Sequence, residues 1–269
     1  MKSLVRWGAA LSLVSGTVLT TLTGGIIPAL AISETEITQK LNEVPVFLVT
    51  NKEGVPLSRP LEAKKGQAAG GAVTGVYMSQ QEAKAFVQQL QKSKPNDPNK
   101  AKMFSSLQVT PVPLGLIYKQ LQDTKNKPNR LLFAFKPVEQ EVQGAMRLLR
   151  ANGQKVEQIR SVPLFLVRFA QDKGYVSIKP KTGGNEEFIP LFLSKKDAEG
   201  LLQQVKPKYP KADIHVVDVD SVIKTLQDKD DKWLKQVVFW PSPEARQFIQ
   251  KLPQNKKAPN PAAAPAKKK

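Results

Sequence analysis

The sequence predicts an α/β protein made of two related halves, each containing a mixed sheet and about three helices. Two observations lead to this prediction: segments recur in the same order, and apolar runs of strand length alternate with helix-periodic segments. The strand-like segment VPVFLV at 44–49 returns as VPLFLV at 162–167. A period of about one domain indicates an internal duplication with two halves related by a pseudo-twofold axis, rather than an array of short repeats.

Three further pairs of segments support the duplication. They are 74–90 with 188–205, 117–123 with 222–228, and 141–149 with 244–252. The offset between copies falls from 118 residues (44 to 162) to 103 residues (141 to 244). Loops between the paired segments are therefore shorter in the second half, while the segments themselves are kept.

Each half is predicted to run strand, strand, helix, strand, helix, strand, helix, after a short N-terminal helix at 34–42. The first-half strands are expected at 44–50, 73–78, 107–112 and 130–135, with loops at 54–72 and 93–101 and, in the second half, 174–187. Ser79 and Ser194 are expected to cap equivalent helices, with the acid three residues further on reaching back in each. Apolar residues spaced by three and four give each helix one buried stripe.

Both ends of the chain are predicted to lie outside the two halves. Lys2 and Arg6 precede an apolar stretch that ends in Ala29-Leu30-Ala31, the small-residue pattern of a signal-peptide cleavage site. An uncleaved membrane anchor is the alternative for this segment. The predicted division is a signal peptide at 1–31, an N-terminal helix at 32–43, α/β repeats at 44–152 and 153–252, and a disordered basic tail at 253–269.

Composition limits the function further. The chain has 41 Lys and Arg against 23 Asp and Glu, a net charge of +18, and no cysteine, which excludes disulfides and thiol chemistry. An exported chain without disulfides fits a periplasm, or alternatively a thylakoid lumen. The lysines are dispersed and arginines do not alternate with aromatics, so nucleic acid is not expected as a partner. Weak peripheral attraction to anionic lipid is physically reasonable.

No constellation for catalysis is found. The single histidine, His215, excludes a multi-histidine metal site and would have to serve any Ser-His-Asp arrangement, with Asp213 on its own strand face. Asp218 and Asp220 precede a helix and are interpreted as capping residues. The acidic run at 228–231 lacks the glycine and glutamate of a calcium loop. The sequence therefore predicts no enzyme activity, no cofactor and no metal.

The repeated strands VPVFLV and VPLFLV, the S-x-x-[ED]-A helix openings and the [IV]-[YI]-K-x-L-Q-D helices resemble one protein family. It is the twenty-two-kilodalton component of the chloroplast inner-envelope translocon (Tic family), with its cyanobacterial relatives. The resemblance covers about 34–252, and the signal peptide fits the exported cyanobacterial type. It implies a non-enzymatic, chaperone-like protein between two membranes that escorts unfolded or precursor polypeptides, toward the outer membrane and its β-barrel machinery.

The strands are apolar at successive positions, so both faces of each sheet must be covered or bind something. The opposite half covers the second face in one alternative; in the other, part of it stays open as a groove for clients. Candidate client-binding residues, expected to face away from the helix stripes, are Phe47, Tyr77, Phe165 and Phe192. The competing function is a membrane-surface or envelope scaffold that binds anionic lipid or wall polymer through its basic surface.

Overall fold

The computed structural model describes residues 32–61, 71–93, 95–127, 132–171, 173–179, 186–229 and 231–252. The predicted signal peptide and basic tail lie outside the described residues. The helices are α1 Glu34–Asn42, α2 Gln80–Lys92, α3 Pro98–Ser105, α4 Leu114–Thr124, α5 Glu139–Ala151, α6 Lys195–Val205, α7 Val219–Asp228 and α8 Pro243–Lys251, with a 3₁₀ helix at Lys232–Gln236. The strands are β1 Pro45–Thr50, β2 Ser58–Pro60, β3 Ala72–Tyr77, β4 Gln108–Pro113, β5 Leu132–Lys136, β6 Pro163–Arg168, β7 Ile189–Phe192, β8 Asp213–Asp218 and β9 Val237–Trp240.

The order of elements predicted from the sequence is confirmed, and three elements were missed: β2, α3 and the 3₁₀ helix. Strand β2 and helix α3 lie in segments that were expected to be loops. β2 has only three residues, Ser-Arg-Pro, and carries no apolar alternation. α3 begins with Asp97, whose side chain accepts hydrogen bonds from the next backbone N–H groups, followed by Pro98 at the first helical position. That Asp-Pro pair is a helix-start signal in the sequence.

The strands form two mixed sheets with one shared topology. In the first sheet the order is β4-β1-β3-β5, and β2 pairs with β3 beside the end of β1. In the second sheet the order is β8-β6-β7-β9. In each sheet the first strand is antiparallel to both neighbours, while the last strand joins in parallel. The sheets therefore have the same strand order and directions.

A central apolar core joins the two sheets. It contains residues from the inner face of each sheet and from α1, α4 and α7, which lie between them in the same cluster. Its most buried members include Ile37, Leu41, Val46, Val76, Ile117, Leu164, Leu191 and Leu226. The second face of each sheet is thus covered by elements of both halves, which is the closed alternative considered from the sequence.

The last helix of each half packs on the sheet of the other half. α5, at the end of the first half, packs against β6 and β8, where Ala145 joins the outer cluster of the second sheet. α8, at the end of the second half, places Phe248 on Phe47 of the first sheet, with ring centroids 5.4 Å apart in an edge-to-face arrangement. This exchange makes each outer core dependent on both halves.

The exchanged helices also cap the helices beside them. The Glu141 carboxylate on α5 accepts a 2.7 Å hydrogen bond from the backbone N–H of Lys195, at the start of α6. The Glu244 carboxylate on α8 accepts a 2.8 Å hydrogen bond from the backbone N–H of Gln81, at the start of α2. A carboxylate at a helix N-terminus is favoured by the unpaired N–H groups and by the helix dipole.

These contacts correct the capping expected from the sequence. Ser79 does cap α2, accepting from the Glu82 backbone N–H at 3.2 Å. Ser194 makes no such side-chain cap on α6. The acid expected to reach back, Asp197, instead pairs with Arg246 of α8 at 2.7 Å. Asp197 and Arg246 both lie in the second half, so this pair joins α6 to α8, a role that depends on tertiary packing.

Helix α1 fits closely onto α4. A Cβ at Gly115 of α4 would lie 2.4 Å from the Thr38 carbonyl oxygen, so only glycine allows this approach. The Tyr118 hydroxyl donates to the Glu34 carboxylate, and Gln227 of α7 donates to Tyr118 at 2.8 Å. Burial and the hydrogen bond to Glu34 raise the pKa of Tyr118 well above its usual range. One polar cluster thus ties three helices at the centre together.

The four residues proposed for client binding lie in the outer cores. Phe47 and Phe165 have no exposed surface, and Tyr77 and Phe192 are 9% and 5% exposed. The expectation that they face away from the helix stripes is corrected: Phe47 and Tyr77 lie with the α2 stripe, and Phe165 and Phe192 with the α6 stripe. Contact with a client would require those helices to move, and it stays a prediction.

Replacing Phe47 by alanine should destabilise the fold strongly, by about 3–5 kcal/mol, because the substitution leaves a cavity under α8 and α2. The matched control is Phe86→Ala, since Phe86 is half-buried and contacts Tyr77 at the rim of the same cluster. Urea unfolding measures both free energies. Equal losses for the two variants would show that Phe47 is not held in a packed core.

Glu141→Gln should remove a pH dependence of stability. Burial raises the pKa of Glu141 above its ordinary value of 4.5, although hydrogen bonds from Lys195 and Ser194 oppose the shift. The folded state then binds a proton more tightly than the unfolded chain does, so this stabilisation is present below pH 4.5 and is lost as the pH rises through the raised pKa.

The stability of wild type relative to Glu141→Gln should therefore fall between about pH 4 and pH 7. Glu141→Ala, which also removes the acceptor for the α6 N-terminus, should be less stable than Glu141→Gln at neutral pH by about 1 kcal/mol. Urea unfolding over this pH range measures both. A wild-type stability that rises with pH relative to the glutamine variant would contradict the assignment.

Candidate functional site

The surroundings of His215 are those of a structural histidine. Its Nδ1 lies 3.0 Å from the Tyr175 hydroxyl, and the two rings are stacked. Burial lowers its pKa, with the nearby Arg168 acting in the same direction. The carboxylate of Asp213 is engaged by Arg168, which donates two hydrogen bonds of 2.6 and 2.8 Å. His215 thus contacts a tyrosine, and Asp213 is paired with an arginine.

The two acids interpreted from the sequence as helix caps, Asp218 and Asp220, have different roles in the structure. Asp218 caps α7, accepting from the backbone N–H of Ser221 at 2.9 Å, which confirms the capping role predicted from the sequence. The capping role predicted for Asp220 is corrected: it lies within the first turn of α7 and accepts from the Ser161 hydroxyl at 2.9 Å. Across the described ranges, no group of three or more His, Asp or Glu side chains could hold a metal ion.

The two cavities found are too small for a substrate. One lies where the halves meet, beside Val44, Val162 and Glu141, and has a volume of about 10 Å³. The other lies beneath Tyr175 and Trp233 and has a volume of about 20 Å³. A volume of about 10–15 Å³ is what a single water molecule requires. Neither of these two cavities can therefore enclose a substrate.

Each sheet has two edge strands, and two of these four edges are blocked. On β4 the residues that point away from the sheet include Pro111 and Pro113, which have no N–H to donate. On β9 the outward carbonyl of Val237 accepts a 2.8 Å hydrogen bond from the Lys40 amino group, whose pKa is lowered by burial. Lys40 of α1 thus occupies one outward carbonyl at the edge of the second sheet that corresponds to β5.

The β8 edge is bounded by charge. Its outward residues include Ile214 and Val216, but Asp213 and Asp218 stand at its two ends. Charged residues at a strand edge oppose the pairing of another chain.

The β5 edge is open among the described residues. Lys136 accepts a hydrogen bond from the Met78 backbone N–H at 3.1 Å, so the even-numbered residues of β5 point toward β3. Residues alternate along a strand, and the N–H and C=O groups of Phe133 and Phe135 therefore point away from the sheet. No hydrogen bond to these groups is formed by the described part of the chain. This is an unpaired row of donors and acceptors.

Half-exposed apolar side chains surround this edge. Phe133 and Phe135 pack partly against the central core, while Leu132 and Ala134 lie on the opposite face beside Val73. We name these five residues the β5 surface. It can bind an extended polypeptide by hydrogen bonds along the backbone and by apolar contacts on both faces. It contains none of the four residues proposed from the sequence, because the sequence identifies a strand but not its place at an edge.

No described helix is long and apolar enough to cross a membrane.

Comparisons with known proteins place the chain in a family. A family model for the Tic22-like family matches residues 3–251. The solved structure of Anabaena Tic22, a protein described by the term protein transport, has 62% sequence identity to this chain and a TM-score of 0.79. The match covers 83% of this chain and 99% of the Anabaena chain. Tic22 from Plasmodium falciparum has a TM-score of 0.57 at 17% identity, covering 80% and 96%, which is a likeness of fold alone.

A search of curated proteins found no match. The family model spans nearly the whole chain, and the identity with the Anabaena protein is high over most of it. The chain therefore belongs to the Tic22-like family.

Proposed function

We propose that this protein is a non-enzymatic protein-transport factor that binds non-native polypeptides in a chaperone-like manner. Membership in the Tic22-like family and the similarity to Anabaena Tic22, a protein of protein transport, support the transport role. The observation that carries the binding role is the β5 surface, where unpaired backbone groups and half-exposed apolar side chains occur together. The two cavities described above are too small for a substrate, so we assign binding to the surface.

Binding would combine apolar contact with charge. A client that covers Leu132 and Val73 removes apolar surface from water, which favours association in proportion to the area covered. The net charge of +18 attracts acidic segments and raises the encounter rate at low salt. Ordering a disordered partner costs conformational entropy. The complex is therefore expected to be weak and broad in its choice of client.

The compartment and partners belong to the same proposal. The signal peptide predicted at 1–31 supports export to a periplasm, with a thylakoid lumen as the alternative. There the protein would hold unfolded or precursor polypeptides and pass them to the β-barrel machinery of the outer membrane. The lack of cysteine fits an exported protein that needs no disulfide.

We also infer that the two halves arose by duplication and are related by a pseudo-twofold axis. The recurring sequence segments support this origin, as do the shared strand order and the shared strand directions. The reciprocal placement of α5 and α8 supports it further, because equivalent helices make equivalent caps through Glu141 and Glu244.

A second candidate function is favoured by the charge of the chain. A net charge of +18 suits a scaffold that binds anionic lipid or wall polymer at an envelope surface. Such binding should vanish at moderate salt, because it depends on charge alone. Client holding through apolar contacts should persist at the same salt concentration. Sedimentation with anionic vesicles, compared with client holding at two salt concentrations, distinguishes the two functions.

Leu132→Asp should weaken client holding by about tenfold, because it places a charge in the apolar contact of the β5 surface. The matched control is Leu116→Asp, since Leu116 is 41% exposed on helix α4. The measurement is suppression of aggregation of a urea-unfolded β-barrel precursor diluted into buffer. The control variant should act like wild type.

Equal loss of activity in both variants would assign client holding to general surface hydrophobicity rather than to the β5 surface. Failure of wild type to suppress aggregation would contradict the proposed function itself. Urea unfolding of each variant checks that the fold is intact.

A further inference from the structure

We propose that the β5 edge binds an extended client segment as an added strand of the first sheet, and that the preferred segment is apolar with acidic residues at its ends. The inference rests on the proposed function and specifies the ligand and its binding mode. The added strand would pair with the outward backbone groups of Phe133 and Phe135. In this mode the hydrogen bonds are made to the backbone of the client, so clients of many different sequences can bind.

The two sheets provide an internal comparison. Phe239 on β9 corresponds to Phe135 on β5: one pairs with Leu191 and the other with Val76, at equivalent places of the shared topology. On β9, Lys40 of α1 binds the outward carbonyl of Val237 and also the carbonyl of Lys235, each at 2.8 Å. Lys40 therefore occupies one outward carbonyl of β9, whereas no described residue binds the equivalent carbonyl of β5, that of Phe133.

The charges at the two remaining edges, β5 and β8, favour β5 for a client with acidic ends. Among the described residues, Lys136 is exposed at the end of β5, and the strand contains no acidic residue. β8, the other edge without a proline or a lysine cap, lies between two aspartates. Exposed Lys136 attracts a strand with acidic ends to β5. On β8, Asp213 is paired with Arg168 and Asp218 caps α7, and the strand itself carries no lysine or arginine to attract such ends. Charge complementarity thus points to the same edge as the backbone geometry.

The faces of β5 define what the client segment should carry. Phe133 and Phe135 continue the inner face of the sheet, and Leu132 and Ala134 continue the outer face, so both faces of an added strand would meet apolar neighbours. Lys136 is exposed at the end of the strand. A strand of apolar residues that ends in an acid would place its carboxylate near this lysine.

The probe for the experiment is a short fluorescent peptide of valines with aspartate at both ends, which is apolar on both faces of the strand. Its binding to the full protein is measured by fluorescence anisotropy. The control peptide has the same side chains but carries N-methyl groups along one edge, which block strand pairing. The first peptide should bind and the methylated peptide should not. Equal binding of the two peptides would overturn the proposed mode.

A matched pair of variants isolates one backbone donor. Phe133→Ala removes the side chain, and Phe133→Pro removes the side chain and the outward N–H, which forms no bond within the sheet. The proline variant should bind the peptide about tenfold or more weakly than the alanine variant, because a donor is lost and the ring obstructs the pairing chain. Equal affinities would contradict strand addition.

Hydrogen exchange of the unmodified protein tests the inference without any substitution. The amides of Phe133 and Phe135 should exchange more slowly when the peptide is bound, while the amide of Phe239, on the covered β9 edge, should not change. Slower exchange at Phe239 or on β8, with unchanged β5 amides, would overturn the choice of edge. If wild type suppresses aggregation but the β5 amides do not respond, the strand-addition inference fails and the proposed function stands.

Discussion

The exchange of the last helices, α5 and α8, between the halves is the constraint on which the rest of the structure depends. α5 closes the outer face of the second sheet and α8 closes that of the first, and each brings a glutamate that caps a helix of the other half. Between the sheets, α1, α4 and α7 share one core. Neither half can bury its strands alone, because a helix of the other half covers part of each sheet.

This arrangement determines where a ligand can bind. Both faces of the central strands are covered, and the cavities found have room for about one water molecule. Strand edges are then the places where backbone groups meet solvent. Prolines, a lysine and terminal charges protect three of the four edges, whereas β5 presents aromatic residues. The difference arises because the N-terminal helix α1 places Lys40 on β9.

Much of the fold could be predicted from the sequence, because it is encoded locally. The repeated VPVFLV and VPLFLV strands, the helix stripes and the cap of Asp218 all follow from periodicity and helix-start signals. The site could not be predicted in this way. Phe47 and Phe133 both belong to apolar strands, and only the pairing of strands shows that one is central and the other lies at an edge. Likewise, the sequence shows Glu141 only as an acid in the first turn of α5. Its hydrogen-bond partner, the backbone N–H of Lys195 on α6, lies 54 positions away.

The most direct measurement of the central claim is equilibrium unfolding in urea, followed separately in the two halves. In the chain without residues 1–31, both tryptophans, Trp233 and Trp240, belong to the second half, so their fluorescence reports on it. Amide exchange at Val46 and Val76 reports on the first sheet. Because each sheet is covered partly by a helix of the other half, both signals should show one transition at the same urea concentration. Two separate midpoints would show that each half folds by itself, which would contradict the account.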